Sequence, residues 1–505
     1  LAHVLGRSDI AVRAALAFEE SSWRLGLPGA EAERLLRQVL PDVGSDATRI
    51  RVLAARGRAL ALSGEPGADH VIEDAIAAAR ELGDPDVLVF ALNTWFNLPW
   101  APQKYGLMLE RSIELRDLVA ANPTRRPWTQ VHAQQWLVVA LMLNGRFSEL
   151  AEARAEHTRM AESSQQPFHR HLSAAVNSTC ALMEGRFADA EAEAERANEL
   201  STIISGTDTS GAYGVQMFSL RREQGRLDEV RPVVEAVVRL DRAHAAWRPG
   251  LAAMYAELDM LDAARAEVKY LVQPGLLRTP RDGLFLGTLT YFADAIVAVG
   301  DRSAAAIVYA ELEPYRGTVA VVGHNIAASG AVDRYLGSLA ETAGRARDAA
   351  RHYVDALALD TRSGSPVWLA HTQYRYARFL TRQGRRDGPR RASDLVAEVI
   401  ATTRRIGMPA LEARALALDA QLADIVPAPD VHEPAPTQLA VGLTPREREI
   451  ITCLVDGLSN AEIGTALHCS PNTAANHVRS ILMKTGCANR TEAAGWAVRN
   501  GLVTD

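Results

Sequence analysis

The chain has 505 residues, 48% of them hydrophobic and 23% charged, with a formal net charge of −6. That length is too great for one compact core, so several domains or a repeat array are expected. The negative balance excludes a protein that coats nucleic acid with basic surface. No apolar run approaches the roughly 18 residues of a membrane span, and four cysteines without a Cys-x-x-Cys pair fit a reducing, cytoplasmic setting.

The N-terminus, Leu1-Ala2-His3-Val4, has no cleavable leader pattern and no initiator Met, so a longer parent chain is expected. From Ser8 to about Asp424, good helix formers alternate with Gly, Pro and Asp breakers, and no alternating strand stands out. Ser45 to Leu62, Ala68 to Leu82 and Asp86 to Asn97 are predicted helices. The run Trp95-Phe96-Asn97-Leu98-Pro99-Trp100 either lines a groove or fills the space between helix pairs.

A punctuation motif then recurs. Gly145-Arg146, Gly185-Arg186 and Gly225-Arg226 are each 40 residues apart, as are Gly344-Arg345 and Gly384-Arg385, with a weaker copy at Gly300. Each Gly follows an apolar helix end and precedes an Ala-rich helix. After Gly344, Ala349, Tyr353, Ala356 and Leu357 share one face; after Gly185, Ala190, Ala194 and Ala197 do the same. A fixed period of this size predicts a solenoid of helix pairs that stack small residues. It resembles tetratricopeptide repeats, in a longer and degenerate form.

Pro427, Pro429, Pro434 and Pro436 mark an extended linker. The expected layout is therefore all-α: helical repeats over 1–424, a Pro-rich linker over 425–440 and a small four-helix domain over 441–505. Thr444 and Ser459 start its first two helices, each with Glu three residues on, the spacing of a capping box. Ser470 caps the third, with Pro471 at its first position, and the fourth begins near Arg490. Gly457, Gly486 and Gly501 end the first, third and fourth. Cys453, Cys469 and Cys487 lie near His468 and His477 but lack metal-ligand spacing; they are expected as small core residues.

The second and third helices, joined by His468-Cys469, form a helix-turn-helix. On the third, Ala474, Val478, Ile481 and Leu482 should face inward. Thr473, Ala475, Asn476, Arg479, Ser480 and Lys484 should face DNA. Asn pairs with adenine and Arg with guanine through two hydrogen bonds each. Ser459 and Asn460, at a helix start, suit a phosphate. The module has six basic and six acidic residues, which gives little long-range attraction to phosphate. Binding as a homodimer on double-stranded DNA is therefore expected.

The module resembles the LuxR-type, or GerE-like, helix-turn-helix of bacterial transcription regulators. The residues that carry this are Leu443-Thr444-Pro445-Arg446-Glu447, Gly457-Leu458-Ser459-Asn460-Ala461-Glu462-Ile463, Ser470-Pro471-Asn472-Thr473, His477-Val478 and Asn489-Arg490-Thr491-Glu492-Ala493. The resemblance implies a recognition helix over 471–485 and a fourth helix used for dimerisation, here through Ala493, Ala494, Ala497 or Val498. Ala474, Ala475 and Thr485 depart from the family's usual Val, basic residue and Leu, which thins the helix packing and removes one DNA contact. Repeats ahead of this module resemble the large ATP-dependent subgroup that includes the maltose-regulon activator. Its phosphate-binding Gly-x-x-x-x-Gly-Lys motif has no counterpart here, so a nucleotide-binding domain is expected to lie outside this chain or never to have existed.

The sequence thus points to a transcription regulator whose repeats sense a small-molecule or protein effector. The alternative is an interaction scaffold with a vestigial DNA-binding module. No nucleophile elbow, metal cluster or paired-carboxylate motif is present, so no enzymatic activity, metal or cofactor is expected.

Overall fold

The computed structural model describes residues 7–25, 27–122, 128–205, 211–240, 247–273, 283–383, 388–425, 443–485, 487, 489–499 and 502. The chain divides into two compact units, Leu1–Val426 and Pro427–Asp505. Most of the expected Pro-rich linker lies outside the described residues.

The first unit holds 21 α-helices among its described residues. Half of the connections between successive helices are turns of two or three residues. Trp128–Leu143 pairs with Phe147–Ser164, Pro167–Met183 with Phe187–Ser205, and Val332–Thr342 with Ala346–Ser363. The recurrent Gly at these turns is left-handed, with φ of 64° at Gly145, 77° at Gly185, 68° at Gly225 and 81° at Gly344. The Arg after it donates its backbone N–H to a carbonyl five residues back: Arg146 to Leu141 at 2.9 Å, Arg186 to Ala181 at 2.9 Å and Arg345 to Ala340 at 2.8 Å. This closure satisfies carbonyls the helix end would leave open. Gly384 lies outside the described residues.

Small residues do the stacking. Ala190, Ala194 and Ala197 are buried, as are Ala349, Tyr353 and Ala356, while Leu357 is half-buried. The aromatic run is core: Trp95, Phe96 and Trp100 are buried, and Phe96 stacks on Trp136 with ring centroids 4.8 Å apart.

One element departs from the sequence expectation. β1, Val319–Val322, and β2, Ala327–Ala331, form an antiparallel hairpin that pairs Val322 with Ala327 and Val319 with Ala331. Both strands are buried almost throughout. A strand covered on both faces carries no polar–apolar alternation, which is why none was visible in the sequence. The tip sits inside the helical array. Thr179 donates its hydroxyl to the carbonyls of Asn325 and Ile326 at 2.7 and 2.8 Å, and the His324 ring lies 4.8 Å from that of Trp136.

The last helices return to the middle of the array. Pro366–Arg382 and Pro409–Ile425 meet the helices of residues 167–257 through polar contacts: Ser365 Oγ to the Met183 carbonyl at 2.6 Å, His371 Nε2 to Glu223 at 2.8 Å, and Arg414 Nη1 to Glu257 at 2.6 Å.

Three buried histidines, His132, His157 and His169, lie in the first half of the array. Burial, followed by the neighbouring His169, pushes His157 down to about 3; burial and then Arg24 push His169 down to about 4. His132 is pushed well below its ordinary value by burial first, then by His169. Both His157 ring nitrogens lack a partner. The folded state holds these rings neutral, whereas the unfolded chain takes up protons near pH 6.5. Their contribution is therefore intact above that pH and declines as pH falls towards about 4, by on the order of 1 kcal/mol per pH unit per ring. Urea melts at pH 7.5 and 5.5 should show a lower midpoint in acid for the repeat unit. His157→Gln should flatten that dependence.

Candidate nucleic-acid interface

Four helices build the second unit: Pro445–Val455, Asn460–Ala466, Pro471–Thr485 and Arg490–Arg499. The first two begin with complete capping boxes. Thr444 Oγ1 accepts from the Glu447 backbone at 3.2 Å while Glu447 accepts from the Thr444 N–H at 2.7 Å. Ser459 and Glu462 repeat the exchange at 3.4 and 2.7 Å. Ile450, Ile451, Leu454, Ile463, Ala474, Val478 and Ile481 close a small core that also includes Cys453 and Cys487. Gly486 and Gly501, expected to end the third and fourth helices, lie outside the described residues.

The turn between the second and third helices is tight. His468 takes φ of 51°, and the Cys469 N–H reaches the Gly464 carbonyl at 2.9 Å. A Cβ on Gly464 would lie 2.7 Å from the Cys469 carbonyl oxygen, closer than any side chain tolerates. Gly464 thus allows the two helices their close approach. Sequence reading passed over it, although a Gly inside so short a helix was a signal.

Glu447 does more than cap. It is 3% exposed and accepts hydrogen bonds from Ser480 Oγ and Lys484 Nζ on the third helix, both at 2.6 Å. Burial alone would raise its carboxyl, but the bonds from Lys484, Ser480 and Thr444 outweigh it and hold the group at about 2. Ser480 and Lys484, expected on the DNA side, here bond to Glu447 of the first helix and form a latch along the flank of the third, with Ser480 half-buried and Lys484 still exposed. Helical spacing could not reveal a partner more than 30 residues away. Arg446 and Arg490 add further ties through their guanidiniums, to the carbonyls of Leu467 and Leu458 respectively.

The side of the third helix turned away from the module's core is open. Asn472, Asn476, Arg479 and Met483 follow one another at intervals of four, three and four residues, and all are exposed, Met483 to 74%. Arg479 Nη1 donates to Asn476 Oδ1 at 3.2 Å, which aligns the two groups. Thr473 is exposed but bonded to Ser470 Oγ at 2.8 Å, and Ala475 is half-buried. Asn472 and Met483 extend the stripe at both ends, by the same spacing that singled out Asn476 and Arg479. In the second helix, Ser459 is exposed with its side chain in the capping box, while Asn460 is half-buried and its Oδ1 has no partner.

The proposed dimer residues divide. Ala493 and Ala497 are fully buried in the module's own core and are unavailable to another copy. Ala494 is half-buried and Val498 is 41% exposed.

Short capped helices, a tight left-handed turn and an open polar stripe on the second helix of the pair define a helix-turn-helix module of the DNA-binding class. Residues 441–497 match the family described as "Bacterial regulatory proteins, luxR family". The same region is 44% identical over 61 residues to the transcriptional regulatory protein DegU of Brevibacillus brevis, covering 12% of this chain and 26% of that protein. It is 41% identical over 71 residues to the transcriptional activator protein BjaR1 of Bradyrhizobium diazoefficiens, covering 14% and 29%. It is 43% identical over 61 residues to LiaR of Bacillus subtilis, covering 12% and 29%. The chain thus spans less than a third of the length of these relatives. A circular tandem repeat protein aligns over 82% of the chain at 13% identity and a TM-score of 0.15, too low to bear on the repeats. Among the described residues no helix is long and apolar enough to cross a membrane.

Glu447→Ala should destabilise the C-terminal unit by about 1–3 kcal/mol, read as a lower melting midpoint, since it removes a cap and leaves Lys484 without its partner. Glu447's contribution is present above pH 4.5 and is lost as pH falls towards its folded value of about 2. The unit's melting profile, followed by circular dichroism from pH 6 to pH 3, should shift down in the wild type and less in the variant.

Proposed function

We propose that this chain is a sequence-specific transcription regulator of the bacterial cytoplasm. Its C-terminal module binds double-stranded DNA as a homodimer, and its helical repeats receive a signal from a small-molecule or protein effector. The observation that carries this reading is the exposed stripe Asn472, Asn476, Arg479 and Met483 on a helix held along its flank by Glu447. In a major groove, Asn476 and Arg479 would meet base edges, Thr473 and Ala475 would lie beside them, and Met483 would offer an apolar surface to a thymine methyl. Ser459 and Asn460 would approach a phosphate from the start of the second helix. Ser480 and Lys484 would act through Glu447, holding the helix at its angle. The relatives named as transcriptional regulators and activators agree with this reading. The order of repeats followed by this module is what supports a likeness to the large ATP-dependent regulators.

Gel shifts and footprints on the promoter region next to the gene test the proposal. Arg479→Ala and Asn476→Ala should each reduce discrimination between the preferred site and a scrambled one, by about 1–3 kcal/mol. Lys484→Ala should weaken all sequences together with the module's thermal stability. The same uniform loss in all three variants would overturn the assignment of the stripe. A chain that shifts no fragment of that region would leave the scaffold alternative.

The dimer contact belongs on the outer face of Arg490–Arg499, at Val498 and the half-buried Ala494. A module with balanced charge gains little from phosphate attraction, so two copies on a two-fold site supply the affinity. Val498→Asp should weaken binding to a two-half-site operator and leave binding to a single half-site unchanged. Equal affinity for both operators in the wild type would refute the dimer.

A further inference from the structure

In the first half of the repeat unit, four rings from three helices meet around one guanidinium. Trp23 lies in the last turn of Ser8–Arg24, Trp128 opens Trp128–Leu143, which also carries His132, and Phe168 lies in the first turn of Pro167–Met183. His132, 3% exposed, is the deepest of the four; its ring lies 5.5 Å from that of Trp23, 5.4 Å from Trp128 and 5.7 Å from Phe168. Trp23, Trp128 and Phe168 are half-buried. The Arg24 guanidinium lies over these three, 5.8, 4.8 and 5.5 Å from their ring centroids.

These are cation–π distances. The rings stand steeply to one another: Trp23 and Phe168 at 85°, Trp128 and His132 at 74°, His132 and Phe168 at 73°. A planar guanidinium stacks best on faces parallel to its own plane, whereas steep walls surround a rounded cation from several sides. Arg58 shows a guanidinium fixed for structure. It lies 4.7 Å from the Trp23 centroid and gives Glu19 two bonds of 2.7 Å, the two side chains being 5% and 1% exposed. Arg24 pairs with Glu20 at 2.8 Å, and those side chains are 26% and 28% exposed. Arg24 also ends its helix, so its head can swing into water and keep Glu20, one turn back, as its partner.

We infer that this aromatic box is a binding site for a small quaternary ammonium cation, and that Arg24 fills it in the free chain as an internal stand-in. A methylated ammonium is nearly spherical and is drawn to aromatic faces by its charge. It has no N–H, so it needs none of the acceptors that a primary ammonium or a guanidinium would lose on entering an apolar box. The exchange puts one positive charge in place of another. His132, at the base, adds no charge of its own, because burial holds its ring neutral near pH 7. The inference names a class of effector for the repeats and so rests on their reading as the sensing half.

Isothermal titration of the full chain with choline and tetramethylammonium at constant ionic strength tests it. The control is the neutral choline analogue with carbon in place of nitrogen. Choline should bind at one site and change the tryptophan fluorescence, while the neutral analogue should not bind. Arg24→Ala removes the stand-in and should tighten choline binding about threefold or more. Trp128→Leu, which keeps an apolar side chain without a π face, should weaken it about tenfold. The inference is overturned if neither cation binds below roughly 10 mM, if the neutral analogue binds as tightly as choline, or if Trp128→Leu binds as well as wild type. Should Trp128→Leu fail to fold, an Arg24→Ala chain that binds choline no more tightly than wild type would overturn it alone. A chain that shifts promoter DNA but binds no ammonium loses only this box; one that binds an ammonium but no DNA keeps the box and loses the regulator reading.

Discussion

A helix that must double back has carbonyls at its end with no partners of their own, and this chain meets that requirement the same way many times. A left-handed residue turns the backbone, and the next N–H returns to the last full turn. The pattern recurs from Gly145 to Gly344 and reappears in the C-terminal unit, where Gly457 has φ of 79° and the Leu458 N–H meets the Cys453 carbonyl at 3.0 Å. At the turn between Arg248–Glu257 and Leu261–Leu271, Asp259 takes the role at φ of 57°. Because the turn is short and closed, the second helix has no choice but to lie back along the first. Ala at the contact then lets the pair approach, and the next pair stacks on it.

Where a rule of this kind is local, it can be read directly from sequence. Helix starts at Ser45, Thr444, Ser459 and Ser470 were legible because a side-chain oxygen and a spacing of three are visible in the chain. The Ser45 side chain accepts from the backbone N–H of Thr48, within the first turn of its own helix. The buried faces after Gly185 and Gly344 were legible from helical period. The hairpin was not, because Val319–Val322 has no polar face to alternate with. Nor were the contacts of Ser365, His371 and Arg414, whose partners lie more than 140 residues away.

The candidate site shows the same division within 60 residues. Much of the signature that makes the module recognisable is scaffold: Thr444 and Glu447 cap, Arg446 and Arg490 tie helices together, and Ala493 fills the core. The exposed groups of the third helix stand between those landmarks. Period alone separated Asn476 and Arg479 from Val478 and Ile481, but it could not separate them from Ser480 and Lys484. Those two share the helix's polar side and differ only in having Glu447 within reach.

The hairpin changes what kind of object the repeat unit is. In a simple solenoid each repeat touches only its neighbours, so repeats can be added or removed at the ends and folding can spread from any point. Here the tip residues His324 to Ile326 accept hydrogen bonds from Gln135 and Thr179, partners 189 to 146 positions earlier in the chain. Repeats made early in synthesis therefore wait, with a polar seam open, for a plug that emerges much later. Such distant closure makes for slow, all-or-none assembly. It also makes the array a poor substrate for evolution by repeat duplication, since an inserted pair would pull the plug out of register with its socket.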